Sequence, residues 1–360
     1  MEAISADQIN DAIARAVNNR SRVYNFSFAL SIRWERDNTN AAADTDNFQA
    51  ILSTLNLDQA EVEILAEQDR TPGWTLNDAI RSIFRSATEA PGKSIVLIHY
   101  AGHGEVRGEE LWAVEGPSRR SISLQDYIDT VVKGHVQYFD IADTDAVFVL
   151  GCCYSHVVTR TSNPATRVVE ILSASDEHTP VALNPPRNTL TGKLRGEIAR
   201  RKRDGHHFVT ISDVMATIRE NSSVVKPTHH VKLGVSICFP FTGVTRIDPN
   251  TIAPTLRAVF SVRIAENMTR EKLHRFLTWI ETLPPGFAIE LDGIYATSST
   301  LLIFQSAYAL FTNLARYHGV NFISDVTSAN RRKHLSQEER QKVPSSNLKE
   351  NIPFSKRPKP

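Results

Sequence analysis

Two stretches decide the fold: Ser94-Ile95-Val96-Leu97-Ile98-His99-Tyr100-Ala101-Gly102-His103-Gly104 and, further along, Ala146-Val147-Phe148-Val149-Leu150-Gly151-Cys152-Cys153-Tyr154-Ser155. In each, an apolar run gives way to a short block of small and chemistry-bearing residues. Runs without polar alternation suit strands buried on both faces, as in a parallel sheet. Open α/β sheets carry their sites just beyond the carboxyl ends of such strands. A histidine and a cysteine delivered to one rim by neighbouring strands are the two groups that thiol-based hydrolysis requires.

The flanking sequence fits such a sheet. Residues 5–18 suit a short helix, and Phe26 to Trp34 a first strand. Phe48, Ile51, Leu52 and Leu55 then share one helical face. Glu61 to Leu65 reads as a second strand, and Thr75 as a helix N-cap with Asp78 three residues on. Leu111 to Val114 suits half of a small hairpin, and Leu124, Tyr127, Ile128, Val131 and Val132 mark a further helix. Val168 to Leu172 is another strand, followed by helices near 190–202 and 212–220 and a last strand from Val231 to Phe239. This alternation predicts an α/β fold, a mostly parallel sheet with helices on both faces.

Pro240 and the turn Asp248-Pro249-Asn250 break the pattern. Beyond them, Arg257 to Ile264 alternates as a strand, Thr269 caps a helix that Pro284-Pro285 stops, and Ala288 to Tyr295 and Thr300 to Phe304 read as strands. Ala307 to Tyr317 reads as helix and Val320 to Ile323 as strand. The order β-α-β-β-α-β suits a ferredoxin-like α+β unit. The expected organisation is an N-terminal helix over 1–21, the α/β domain over 22–245, the ferredoxin-like domain over 246–328 and a basic disordered tail over 329–360.

Composition bounds the function class. The 360 residues are 41% hydrophobic and 22% charged, with a net charge of +1, as expected of a soluble globular chain. From Arg331 to Pro360 nine Lys/Arg face three Glu, a surplus of +6 that leaves −5 elsewhere. That end is poor in large apolar residues, hence the expectation of disorder. No apolar run approaches a membrane span, and the first residues do not resemble a signal peptide. Three cysteines cannot build a disulfide framework, which predicts a reducing, cytoplasmic home. Nothing in the pattern points to nucleic acid.

The blocks His99-Tyr100-Ala101-Gly102-His103-Gly104 and Gly151-Cys152-Cys153-Tyr154-Ser155 resemble the two active-site motifs of caspase-like cysteine peptidases, metacaspases more than animal caspases. The stretch from Leu172 to Thr179 resembles the strand and acidic loop that follow the cysteine in that family, and Leu190 to Leu194 its next helix start. The resemblance covers about residues 22–245, and a histidine about 50 residues before the cysteine agrees with caspase spacing.

The resemblance implies His103 as general base and acid, Cys153 as nucleophile, and the N–H groups of Gly104 and Cys153 as oxyanion hole. Gly104 would let the backbone approach the substrate closely. Imidazole beside a thiol raises the thiolate fraction, which is the nucleophilic species. Gly151, Ser155, His156, Asp176 and Glu177 are the substrate-pocket candidates. The family aspartate two places before the nucleophile is Gly151 here, so basic specificity is not carried over, and His156 replaces a glycine. No resident cofactor is expected. Calcium activation occurs in the family, with Asp140, Asp143 and Asp145 as acidic positions, although such a run also suits a solvated turn. The loop from His156 to Arg167 corresponds to a region that the family can cut on maturation.

Plainer roles stand beside these. Cys152 and His99 suit core packing. His206-His207 and His229-His230 lack partners at zinc-ligand spacing. The functional expectation is a caspase-like cysteine endopeptidase acting on protein or peptide substrates, with regulated cell death or immunity as the setting the resemblance suggests. A regulatory protein partner would bind through 246–328. The rival is a catalytically weak caspase-like scaffold that acts by association, which Gly151 and His156 favour.

Overall fold

A computed structural model describes residues 3–20, 24–116, 118, 120–136, 139–141, 144–159, 168–178, 182, 189–233, 236–241, 257–296, 299–315 and 317–326. The chain opens with α1 (Ala6–Arg20), β1 (Phe26–Trp34), α2 (Ala41–Thr54), β2 (Glu61–Leu65), α3 (Pro72–Glu89) and β3 (Ser94–Ala101). Three short strands follow, β4 (His103–Arg107), β5 (Glu110–Val114) and β6 (Ser121–Ser123), then α4 (Leu124–Lys133), β7 (His135–Val136) and β8 (Phe139–Asp140). Next come β9 (Thr144–Gly151), β10 (Val169–Ser173), α5 (Leu190–Arg203), β11 (Phe208–Thr210), α6 (Ile211–Glu220), β12 (Thr228–Leu233) and β13 (Cys238–Pro240). The last elements are β14 (Arg257–Ile264), α7 (Arg270–Glu281), β15 (Glu290–Ala296), β16 (Thr300–Ala307), α8 (Tyr308–Leu314) and β17 (Val320–Val326).

Six strands form the central sheet in the order β12-β10-β9-β3-β1-β2. Its pairs are parallel except for β12, which runs antiparallel along the edge of β10. Every residue of β3 is buried, as are all of β9 except Gly151, which explains their unbroken apolar runs. One face packs Leu76, Ile80 and Phe84 of α3 and Ile128 of α4 against Ile98, Phe148 and Ile171. The other packs Phe48 and Leu52 of α2, Leu194 of α5 and Val214 of α6 against Leu97 and Val149. This is the α/β fold expected.

The second sheet has the order β15-β16-β14-β17, which with α7 and α8 gives the ferredoxin-like order. Phe260, Phe304, Phe276 and Leu310 fill its core, and Phe260 stacks on Phe304 at 5.6 Å. Ile4, Ile9, Ala12 and Ile13 belong to that same core. Ile4 pairs with β14 through its N–H to the Arg263 carbonyl at 2.9 Å and its carbonyl to the Ala265 N–H at 2.8 Å. The amino-terminal segment thus adds one bridge at the end of β14 and packs into the core of the carboxyl-terminal sheet. By contacts, Met1–Asp325 form one compact unit and Val326–Pro360 another, of which only Val326 is described.

Two local expectations are corrected. α3 starts at Pro72 rather than at Thr75, because proline suits the first helical position. The Thr75 hydroxyl instead donates to Asp69 at 2.6 Å. As expected, Leu111 to Val114 lies in one arm of a hairpin, paired antiparallel with β4, and β6 adds a third strand. The strand expected from Val231 to Phe239 is two strands in two sheets. The chain turns where Ser236 Oγ and the Ile237 N–H donate to the buried Glu170 carboxylate at 2.6 and 3.0 Å.

Candidate functional site

The two chemistry-bearing blocks leave adjacent strands at the same level. β3 and β9 run parallel with Tyr100 opposite Leu150 and Ala101 opposite Gly151. His103 and Cys153 each lie two residues beyond that last pair. The strand order also reverses here: the chain leaves β1 towards β2 but leaves β3 towards β9. Such a switch point opens a crevice at the carboxyl rim.

Each block needs a special turn. Gly102 has φ of +143, and a Cβ there would stand 2.9 Å from the Tyr100 hydroxyl. That hydroxyl donates to the His103 carbonyl at 2.8 Å and closes the turn. His103 then starts β4, opposite Val114. After Cys153 the chain passes through Tyr154 in the left-handed region, φ 59. A non-glycine residue held there stores about 1–3 kcal/mol, which the surrounding structure must offset. The Ser155 hydroxyl helps by donating to the Cys152 carbonyl at 3.0 Å.

Gly104 joins the two turns. A Cβ at this position would overlap the Cys153 carbonyl and come within 3.0 Å of Cys152 Sγ. The close approach that glycine permits is therefore towards the cysteine turn, whereas the sequence suggested an approach to substrate. The neighbouring cysteines differ in environment. Cys152 is fully buried, and burial pushes its thiol up, so it stays protonated. Cys153 is only half-buried, and its Sγ accepts from the Ala182 N–H at 3.3 Å.

His103 meets a partner that the sequence reading passed over. Its Nε2 hydrogen-bonds Asn38 Oδ1, from the loop after β1. The Asp37 carboxylate ties this loop to α2 by accepting from the Thr39 and Ala41 N–H groups at 2.9 and 2.8 Å. The signal was the polar run Glu35-Arg36-Asp37-Asn38-Thr39-Asn40 directly after β1, placed by topology on the same rim.

The pocket candidates scatter. Gly151 has little room: a Cβ there would lie 3.2 Å from the Tyr100 carbonyl and 3.9 Å from His99 Nε2. Ser155 is fully buried and accepts from Ser173 Oγ at 2.6 Å, so it braces the turn from within. His156 Nδ1 lies 3.4 Å from Ser175 Oγ. Asp176 is buried and 3.4 Å from Arg219, which leaves Glu177 as the exposed carboxylate of this loop.

His99 is fully buried, with Nδ1 on Ser31 Oγ at 2.9 Å and its ring stacked on Phe48 at 4.7 Å. Burial lowers its pKa to about 3, so it is neutral across the physiological range.

Among the calcium positions, Asp145 is fully buried, ion-paired with Lys93 at 3.1 Å, and accepts from the Tyr24 hydroxyl at 2.8 Å. Asp143 and the Asp140 side chain lie outside the described residues. Among the described residues, no group of three or more His, Cys, Asp or Glu is placed to hold a metal ion. No described helix is long and apolar enough to cross a membrane. Residues 160–167 of the expected cleavable loop, and 327–360 of the basic tail, also lie outside the described set.

No family model and no curated protein matches the sequence. Among solved structures, the chain is similar to Caspase-1 from Spodoptera frugiperda, at 13% identity over 61% of this chain and 91% of that one, with a TM-score of 0.42. It is also similar to drICE, at 16% identity over 62% of this chain and 94% of that one, with a TM-score of 0.37. The fold described above rests on the chain's own topology.

Proposed function

We propose that this protein is a caspase-like cysteine endopeptidase, with Cys153 as nucleophile and His103 as general base and acid. The observation that carries the reading is the shared register: both residues follow the Ala101–Gly151 pair by two positions on adjacent parallel strands. The left-handed Tyr154 and the Gly104 contact support it, because strain and close backbone approach concentrate at functional sites.

In this mechanism His103 takes the Cys153 thiol proton and the sulfur attacks the peptide carbonyl. The N–H groups of Gly104 and Cys153 donate to the developing oxyanion, each worth about 3–4 kcal/mol. His103 then protonates the leaving amine, and water hydrolyses the thioester. Cytoplasmic residence, a regulatory partner on 246–328 and a role in cell death or immunity complete the proposal. Substrate selection would fall to the loops that carry Gly151, Ser155, His156, Asp176 and Glu177.

The test is a peptide-library digest with wild type and Cys153→Ala side by side, with and without calcium. Cleavage that disappears in the variant supports the peptidase. A second reading, a scaffold acting by association, draws on the cramped Gly151 and on the Ala182 N–H seated on Cys153 Sγ. Absence of turnover in wild type, with partner binding kept by Cys153→Ala, would favour it.

A further inference from the structure

We infer that Asn38 is the positioning residue for His103: it holds the imidazole in the tautomer whose Nδ1 is free to take a proton. The inference rests on the peptidase reading for its kinetic consequence, but the tautomer itself can be measured without any turnover.

The argument begins with the donor inventory. An amide oxygen can only accept, so the bond between Asn38 Oδ1 and His103 Nε2 requires a hydrogen on Nε2. In the neutral ring the proton then sits on Nε2, and Nδ1 keeps its lone pair. A base needs that lone pair. When Nδ1 takes the Cys153 proton, the ring becomes an imidazolium, and Nε2–H still donates to Asn38. When Nδ1–H gives its proton to the leaving amine, the ring returns to the starting tautomer. The Asn38 bond thus survives every step.

The surroundings hold this pair in place from three sides. Asp37 fixes the turn that carries Asn38, with its carboxylate accepting from Thr39 Oγ1 at 2.7 Å as well as from two N–H groups. Tyr100 fixes the His103 backbone. Gly116 lies against both side chains: a Cβ there would stand 3.0 Å from Asn38 Oδ1 and 3.2 Å from His103 Nε2. The turn that carries Gly116 is clamped in its turn. Buried Glu115 pairs with Arg120 at 2.8 Å, and Arg120 donates to the Asp69 and Ala66 carbonyls at 2.6 and 3.1 Å. Loops after β1, β3 and β5 therefore converge on one ring nitrogen, a degree of support that an ordinary surface histidine does not need.

The experiment combines ¹⁵N NMR of the histidine ring with kinetics for wild type, Asn38→Ala, Asn38→Asp and Gly116→Ala. Wild-type His103 should show the Nε2–H tautomer when neutral. Asn38→Ala should mix the tautomers and lower kcat about tenfold or more with KM little changed. Asn38→Asp keeps an acceptor and should retain the tautomer, with kcat closer to wild type than that of Asn38→Ala. Gly116→Ala, with a Cβ crowding both partners, should behave like Asn38→Ala. A wild-type Nδ1–H tautomer would overturn the inference, as would a tautomer indifferent to Asn38→Ala. If wild type shows the expected tautomer but cleaves nothing, the peptidase reading fails while the positioning of His103 stands.

Discussion

The rim of the parallel sheet and the carboxyl-terminal antiparallel sheet use their residues in opposite ways. In the antiparallel sheet the pattern is local: β14 alternates half-buried and buried residues along its whole length, and Thr269 caps α7 by accepting from the Lys272 N–H at 3.3 Å. Its strands carry neither histidine nor cysteine. At the rim, by contrast, Asn38, His103, Gly116 and Cys153 come from four separate segments, and the geometry depends on Gly102, Gly104 and a left-handed Tyr154. The first region is built for stability. The second holds a histidine and a cysteine beside a backbone conformation that stability alone would not select, which is what marks it as the candidate site.

That contrast can be broken from either side. Cys153→Ala should reduce peptide turnover by about a thousandfold or more while leaving the melting transition close to wild type. A variant that stays active, or one that unfolds, would remove the distinction. Phe304→Ala should do the reverse. It should destabilise the protein by about 3–5 kcal/mol in urea titration while leaving the Cys153 alkylation rate of the folded fraction unchanged. Ile4→Ala should cost about 2–4 kcal/mol and raise hydrogen exchange in β14 rather than in β3, since Ile4 packs in the antiparallel sheet's core. Exchange rising first in β3 would place the amino-terminal segment wrongly.

The smallest effect concerns acid. His99 has a folded-state pKa of about 3, whereas an unfolded histidine titrates near ~6.5. Between those values the unfolded chain binds a proton that the native state refuses. Stability should therefore fall as pH drops below ~6.5, by about 1.4 kcal/mol per unit from this residue. Urea titrations between pH 7 and 5 check the slope, and His99→Gln should flatten it. Because His99 lies in β3, protection should be lost there before β14.

Much of this was legible in the sequence because burial writes itself into periodicity. β1, β2 and β14 run between the residues where the apolar pattern starts and stops, and the alternating order of elements is enough for the sheet class. The pairing of β3 with β9 follows from two unbroken apolar runs. What periodicity cannot show is a contact made by a polar loop. Asn38 sits in a run that reads as ordinary loop, and only the strand order brings it to His103. The break between β12 and β13 was hidden for a similar reason: buried Glu170 turns the chain at Ser236 and Ile237, and no local residue pattern reports a partner 66 positions away. The docking of α1 on the far end of the chain is equally non-local.

The central claim is that imidazole 103 and sulfur 153 act as one unit. Its most direct measurement is the rate of Cys153 alkylation by iodoacetamide as a function of pH, in wild type and in His103→Ala. The account predicts a wild-type rate at pH 6.5 at least about tenfold above the variant, with the two converging above pH ~9, where an isolated thiol ionises by itself. Superimposable profiles for the two proteins would contradict it.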